Sequence, residues 1–246
     1  MEHFDILYRD ETLVAVNKPS GLLVHRSDID RHETHFALQM LRDQMGQRVY
    51  PVHRLDKPTS GVLLFALNSE AARATSTAFA AGAVEKTYLA VVRGYPDPQT
   101  TIDYPLRDTW DKMSAPNSRR AGNPRPASTA LRCLATAELS VRVDRYPTSR
   151  YALVEARPFT GRRHQIRRHM KHIAHPIIGD TTYGKSRHNR LFAQRFDCAR
   201  LLLHAAHLSF PHPISAQIVS IPAPLDGPFS RVIEGLGWRN CVDIPR

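Results

Sequence analysis

Cysteine is scarce in this chain of 246 residues, and what there is does not cluster: Cys133, Cys198 and Cys241 are odd in number, widely spaced and in no Cys-x-x-Cys arrangement. That excludes a disulfide framework and a cysteine-built zinc site, and it suits a reducing compartment. Long apolar runs are missing too. The longest, Val62 to Leu67, falls far short of the roughly 20 residues that cross a bilayer. The chain opens with Glu2 and Asp5 rather than a basic and then apolar leader, so the expectation is a cytoplasmic protein without membrane association. Acidic residues are the third shortage. There are 23 Asp and Glu against 34 Lys and Arg, for a formal net charge of +11. Such an excess points to a polyanionic partner, nucleic acid first, because each contacted phosphate releases condensed counterions.

A hydrophobic content of 42% supplies a core, enough for one large domain, and a single unit over 1–246 is expected. Short strands are predicted at Ile6 to Tyr8 and Leu13 to Val16, followed by the loop Lys18-Pro19-Ser20-Gly21. An amphipathic helix is predicted over 33–45, stopped by Gly46, and an Ala-rich one begins at Asn68-Ser69-Glu70 and ends at Gly82. Strands are expected at Val62 to Ala66, Lys86 to Arg93, Ser128 to Leu134, Arg150 to Arg157, Leu201 to Phe210 and Gln217 to Ile221. Further helices are expected at about 162–173 and over Gly227 to Leu236. Between them, 95–126 is rich in proline and scattered charge and reads as a flexible insertion with little regular structure. Strands unevenly separated by helices favour an α+β fold with a mixed, largely antiparallel sheet.

The segment that most narrows the chemistry is His53-Arg54-Leu55-Asp56-Lys57-Pro58-Thr59-Ser60-Gly61. It sets one carboxylate on a tight loop among cations, backed by a strand, which is how a reactive group is held on a rigid support. A second segment, Thr160 to Ile173, places Ile166, Met170 and Ile173 on one helical stripe and leaves the other faces to Arg162, Arg163, Arg167 and Arg168. Rows of cations at that spacing suit phosphates or one buried carboxylate. His164, His169, His172 and His175 share the segment, but a metal site is not expected. There is no His-Glu-x-x-His pattern, no carboxylate lies on the helix, and the arginines would repel a cation. In the strand Lys86-Thr87-Tyr88-Leu89-Ala90, Tyr88 is a core tyrosine unless its strand borders the one leading from Asp56, where its ring could stack on an extruded base.

Together with Asn17-Lys18-Pro19-Ser20-Gly21 and Leu201-Leu202-Leu203-His204-Ala205, these motifs occur in an order that resembles the RluA-type pseudouridine synthases, over about residues 4–224. The resemblance implies that family's catalytic fold, with an RNA cleft and no cofactor or metal. It also implies that Asp56 is the catalytic aspartate, Tyr88 the active-site tyrosine and Arg167 the arginine paired with the aspartate. Arg54 would enter the stack left by a flipped uridine, Lys18, Arg162, Arg163 and Arg168 would join it in holding RNA, and Leu202 would line the uracil pocket. The aspartate must be ionised, whether it attacks C1′ or C6 or assists deprotonation of the sugar. Leu23 to Ser27, Arg42 to Gln47, Arg145 to Tyr151 and His188-Asn189-Arg190 are similar to the TruC subgroup, which implies uridine 65 in the acceptor-stem region of tRNA and, with no S4-like module expected at the N-terminus, a monomer acting on tRNA. Ribosomal RNA as the substrate, an RNA-binding protein without catalysis on this scaffold, and a nuclease are the alternatives.

Overall fold

The computed structural model describes residues 3–26, 34–107 and 123–242. Ten strands form one sheet: β1 (Ile6–Arg9), β2 (Leu13–Lys18), β3 (Tyr50–Pro51), β4 (Ser60–Ala66), β5 (Glu85–Arg93), β6 (Gln99–Asp103), β7 (Ser128–Leu139), β8 (Ser149–Pro158), β9 (Leu203–Pro211) and β10 (Ile218–Pro222). Five helices flank it, α1 (Ala37–Met45), α2 (Ser69–Ala80), α3 (Gln165–His172), α4 (Ser186–Phe196) and α5 (Gly227–Gly235). The strands run in the order β1-β2-β4-β9-β5-β8-β7-β6, with β10 on β9 and β3 on β4. The pairing is antiparallel except between β4 and β9, where Ser60 faces His204 and Gly61 faces Ala205 in parallel. The expected α+β fold with a mixed, largely antiparallel sheet is the one observed.

That parallel contact positions the site. Gly61 has φ of +109°, and a Cβ there would lie 2.2 Å from the carbonyl oxygen of Ala205, so only glycine lets the strand behind the Asp56 loop approach β9 this closely. The strand of Tyr88 does not border the one leading from Asp56, as a role for its ring was expected to require: β9 lies between β4 and β5, and Tyr88 reaches the Asp56 cleft across it. An extra residue in β9 shifts the β5 register between Thr87 and Tyr88, and such a bulge re-aims neighbouring side chains.

Three clusters of buried apolar side chains follow from the alternation of the strands. One gathers Val14, Leu64, Phe65 and Phe210 under Leu41 of α1 and Ala71 of α2. The second packs Leu89, Val91 and Leu153 against Phe192 of α4 and Phe229 and Val232 of α5. The third, on the opposite sheet face, sets Ala90, Val92 and Val154 against Ile166 and Met170 of α3, the stripe expected from their spacing. Asn68 and Asp226 cap α2 and α5 by accepting the amides of Ala71 and Phe229.

Several elements depart from expectation. The helices at 33–45 and 162–173 begin later, at Ala37 and Gln165, and β7 runs on to Leu139. Within 95–126, residues Gln99–Asp103 form β6, paired along its length with β7, and Leu106 bridges Arg125; the rest of that stretch, 108–122, lies outside the described residues. β3 and α4 carried no clear sequence signal. For α4, Ser-Arg-His-Asn-Arg offers no apolar stripe until Leu191 and Phe192.

Candidate active site

The Asp56 loop, the start of α3 and the cleft-facing side of β5 meet at a cleft of about 650 Å³. Arg167 projects from α3 and reaches the Asp56 loop 111 residues away, its NH1 donating to Asp56 Oδ2 at 3.2 Å. The same guanidinium is held from behind by Asp180, with Nε on Oδ2 at 2.7 Å and NH2 on Oδ1 at 3.0 Å. Asp180 is fully buried, and its Oδ1 also accepts the amides of Thr182 and Tyr183. Burial opposes charge on both partners, yet the bidentate pair prevails: Arg167 is held above and Asp180 below its ordinary pKa, with Asp56 adding to the effect on Arg167. The Asp180 turn is itself fixed by Gly179, whose φ is +80° and where a Cβ would lie 1.8 Å from the carbonyl oxygen of Arg200.

Arg167 occupies Oδ2 and leaves Oδ1 of Asp56 towards His164 Nε2, 3.9 Å away. His164 caps α3 in the left-handed region, φ 53°, and its Nδ1 lies 3.0 Å from the Tyr183 hydroxyl. Burial pushes its pKa down, and Arg167 and Arg163 act in the same direction against the carboxylates of Asp56 and Asp180. The Tyr183 ring in turn lies under the Arg167 guanidinium at 5.1 Å, so Asp180, Tyr183 and His164 brace the Asp56–Arg167 pair from one side.

Tyr88 lines the cleft beside Lys86. Burial raises its hydroxyl pKa, and the charge on Asp56 raises it further, so it enters any reaction protonated. Burial lowers the Lys86 pKa. Arg54 and Arg163 are exposed at the cleft, whereas Arg162 is half-buried and donates from Nε to the Pro126 carbonyl at 3.1 Å.

Three expected contacts lie elsewhere. Lys18 is fully buried and its ammonium donates to the carbonyls of Pro19, Leu22 and Lys57. It therefore joins two loops and does not present its charge at the surface. Arg168 donates to the Arg107 carbonyl at 2.9 Å and does not line the cleft. Leu202 belongs to the cluster under α4 and α5, while Leu203 lines the cleft, because neighbouring residues of an extended segment face opposite ways. The imidazoles of the basic segment also diverge. His169 contacts Thr129 and the Tyr104 carbonyl, His172 stacks on Tyr104, and His175 contacts the Arg93 carbonyl.

Sequence reasoning gave no site role to Asp180, Lys86, Gln165 or Phe159, weighed His164 only as a metal ligand, and set Leu203 only within the pocket segment Leu201 to Leu203. Gln165 ties the 160–165 turn to β7 by donating to the Ser128 carbonyl and Thr129 hydroxyl while accepting from Thr160 and the Arg162 amide. Phe159 lines the cleft while 63% exposed. The available clue to Asp180 was an acid directly after the apolar pair and glycine Ile177-Ile178-Gly179, at the exit of the basic segment.

A carboxylate held by an arginine in a cation-rimmed cleft is the arrangement expected from the motifs. The family described as RNA pseudouridylate synthase matches residues 12–172. A "tRNA pseudouridine synthase C" of Vibrio cholerae serotype O1 is 49% identical over 240 residues, 98% of this chain and 98% of that protein. A protein of the same name from Pectobacterium carotovorum is 53% identical over 97% of this chain, which spans 63% of that protein's length. Among solved structures, human RNA pseudouridylate synthase domain containing 4 superposes with a TM-score of 0.70 at 27% identity, covering 94% of this chain and 92% of that one. The chain belongs to the RNA pseudouridylate synthase family.

Proposed function

We propose that the protein isomerises uridine to pseudouridine in tRNA, at uridine 65 in the acceptor-stem region, and that it does so in the cytoplasm. The observation that carries the reading is the Asp56–Arg167 pair, 3.2 Å apart on the cleft floor with Tyr88 and Leu203 on the cleft wall. Full-length similarity to proteins named tRNA pseudouridine synthase C supports tRNA as the substrate. One sheet running through all the strands supports reading the chain as a single catalytic unit. Among the described residues no helix is long and apolar enough to cross a membrane.

The reaction breaks the bond from N1 to C1′, turns the uracil and joins C5 to C1′. N1 gains a proton and C5 loses one, so composition is unchanged. A uridine inside a stem must first leave its stack. Arg54, exposed on the Asp56 loop, would fill the vacated space, and Phe159 and Tyr88, which line the cleft, would stack on the bases. Arg167, fixed by Asp180, orients Asp56 through Oδ2 and leaves Oδ1 clear of that contact. Enclosure by the base strengthens each of these electrostatic contacts.

Asp56→Asn removes the reactive charge and keeps the shape. Binding of tRNA is expected to persist while tritium release from tRNA labelled at uracil C5 disappears; measurable turnover by this variant would overturn the assignment. Carbodiimide primer extension on total RNA from a deletion strain checks the substrate. A signal lost from ribosomal RNA with tRNA unchanged would replace it with the ribosomal reading.

A further inference from the structure

A basic surface lies outside the cleft, where the turn between β7 and β8 meets the end of β5 and the start of α4. Asp144, in that turn, accepts from Arg93 NH2 at 3.2 Å and lies 3.2 Å from His188 Nε2. His188 is buried, with its Nδ1 2.8 Å from the Tyr151 hydroxyl. The His188 contact holds the Asp144 carboxyl below its usual pKa, and Arg93 and Arg187 add to this. The turn is thus locked to α4, and its acid is neutralised from within. Glu138, a β7 acid beside this surface, is engaged by Thr148 and Arg150.

What remains on the outside is cationic and aromatic. Arg145 lies over the Tyr146 ring at 4.7 Å, and Tyr146 is 57% exposed. Arg150 lies over the exposed Tyr95 ring at 5.3 Å. Lys185, Arg187 and Arg190 stand exposed on the first turns of α4. Guanidinium groups pre-oriented on rings lose little freedom on meeting a phosphate.

This surface is separate from the cleft yet connected to it. Along β5, Arg93 is five residues beyond Tyr88, about 17 Å at the rise of a strand. Through the other connection, Tyr183 touches Arg167 and also lies under Lys171, and Arg187 follows four residues later, at most about 14 Å along the chain. Asn189 of α4 accepts the Gly179 amide and donates to the Asp180 carbonyl, so the helix bearing these cations also fixes the turn that holds Arg167.

We propose that the surface built from the β7–β8 turn and the start of α4 is a second RNA-binding surface, which grips the sugar-phosphate backbone of a helical stem remote from the nucleotide in the cleft. It rests on the RNA-modifying reading above and adds to it a measuring role: an RNA long enough to span both places binds better than the target segment alone.

The test uses the full chain carrying Arg145→Glu, Arg187→Glu or both. These side chains are exposed and take no part in the cleft. For intact tRNA the double variant is expected to weaken binding at least about tenfold and to make the salt dependence shallower by about one per cation removed. For a minimal stem-loop carrying the same uridine, the wild-type and variant Kd should agree. Arg42→Glu, on α1, is the control for net charge. Unchanged Kd for intact tRNA overturns the proposal, and so does an equal loss on the minimal stem-loop, an equal loss with Arg42→Glu, or a loss seen only with unstructured RNA. Failure of the wild-type protein to make pseudouridine in tRNA would overturn the function proposed above, while the binding comparison would still decide on this surface.

Discussion

At the scale of the residue, the site is a relay of charge. Arg167 reaches Asp56 and is itself a fixed group, because Asp180 holds two of its nitrogens in a place without solvent. Removing one member of a buried pair costs about 3–5 kcal/mol because the other is left uncompensated. Asp180→Asn should therefore cut kcat by at least about tenfold while leaving the Kd for tRNA near that of the wild type, since Asp180 does not line the cleft. Arg167→Met should be more damaging still, and Lys57→Met much less. Steady-state kinetics together with binding measurements check this. Wild-type kcat in Asp180→Asn would remove Asp180 from the positioning role. Asp56, Tyr88 and Arg167 were legible because their motifs have a fixed form and order. Asp180 and His164 were not, because their importance comes from whom they meet: a buried acid and a left-handed helix cap acquire meaning only when α3 and the following turn fold onto the Asp56 loop.

At the scale of the element, the loops around the cleft are held by buried polar groups as well as by apolar packing. Lys18 shows how. Its three hydrogen bonds, to Pro19, Leu22 and Lys57, tie the end of β2 to the loop bearing Asp56. Burial pushes its pKa down to about 7, with Arg200 adding to the effect and Asp56 opposing it. Lys18→Met keeps the length of the side chain and strands those carbonyls, so a loss of about 2–3 kcal/mol is expected, with a lower kcat because the Asp56 loop loses its tie. Urea denaturation and turnover of the same preparation test both. Wild-type stability would show that the carbonyls find water instead. Read as a linear motif, Lys18 looked like a surface cation beside RNA; only the closing of β2 against β4 shows that its ammonium points inward. The helices and strands with a regular apolar period were legible, as Ile166 and Met170 show. β6 and α4 were not, because prolines obscure the first and the second turns a largely polar face to solvent.

At the scale of the whole molecule, the buried histidines make stability depend on pH. His204 is fully buried, with Nδ1 2.7 Å from the Ser60 hydroxyl and Nε2 3.2 Å from the Ala223 carbonyl, and burial pushes its pKa down to about 4. His53 accepts the Leu64 amide at Nε2 and stacks on Phe79, and burial with Lys86 nearby pushes it down to about 3. Burial likewise lowers His164, His169 and His188. In the unfolded chain each returns to about 6.5. Between that value and the folded ones, the unfolded state binds more protons, so stability falls as the pH falls, by up to about 1.4 kcal/mol per pH unit for each group fully in its window. Asp10, whose pKa burial would raise but whose hydrogen bonds from Tyr8, Thr12 and Leu13 bring it down to about 2, contributes stability that is lost only below about pH 4, outside this range. Lys18 acts in the same direction as the histidines at higher pH, since its folded pKa lies below its unfolded one. The unfolding free energy should therefore rise steadily from pH 5 to pH 7.5, which urea titrations at several pH values will measure. A flat or inverted profile would mean that these histidines are protonated in the folded protein, and that the Ser60–His204 contact joining β4 to β9 beneath the Asp56 loop does not need the neutral ring.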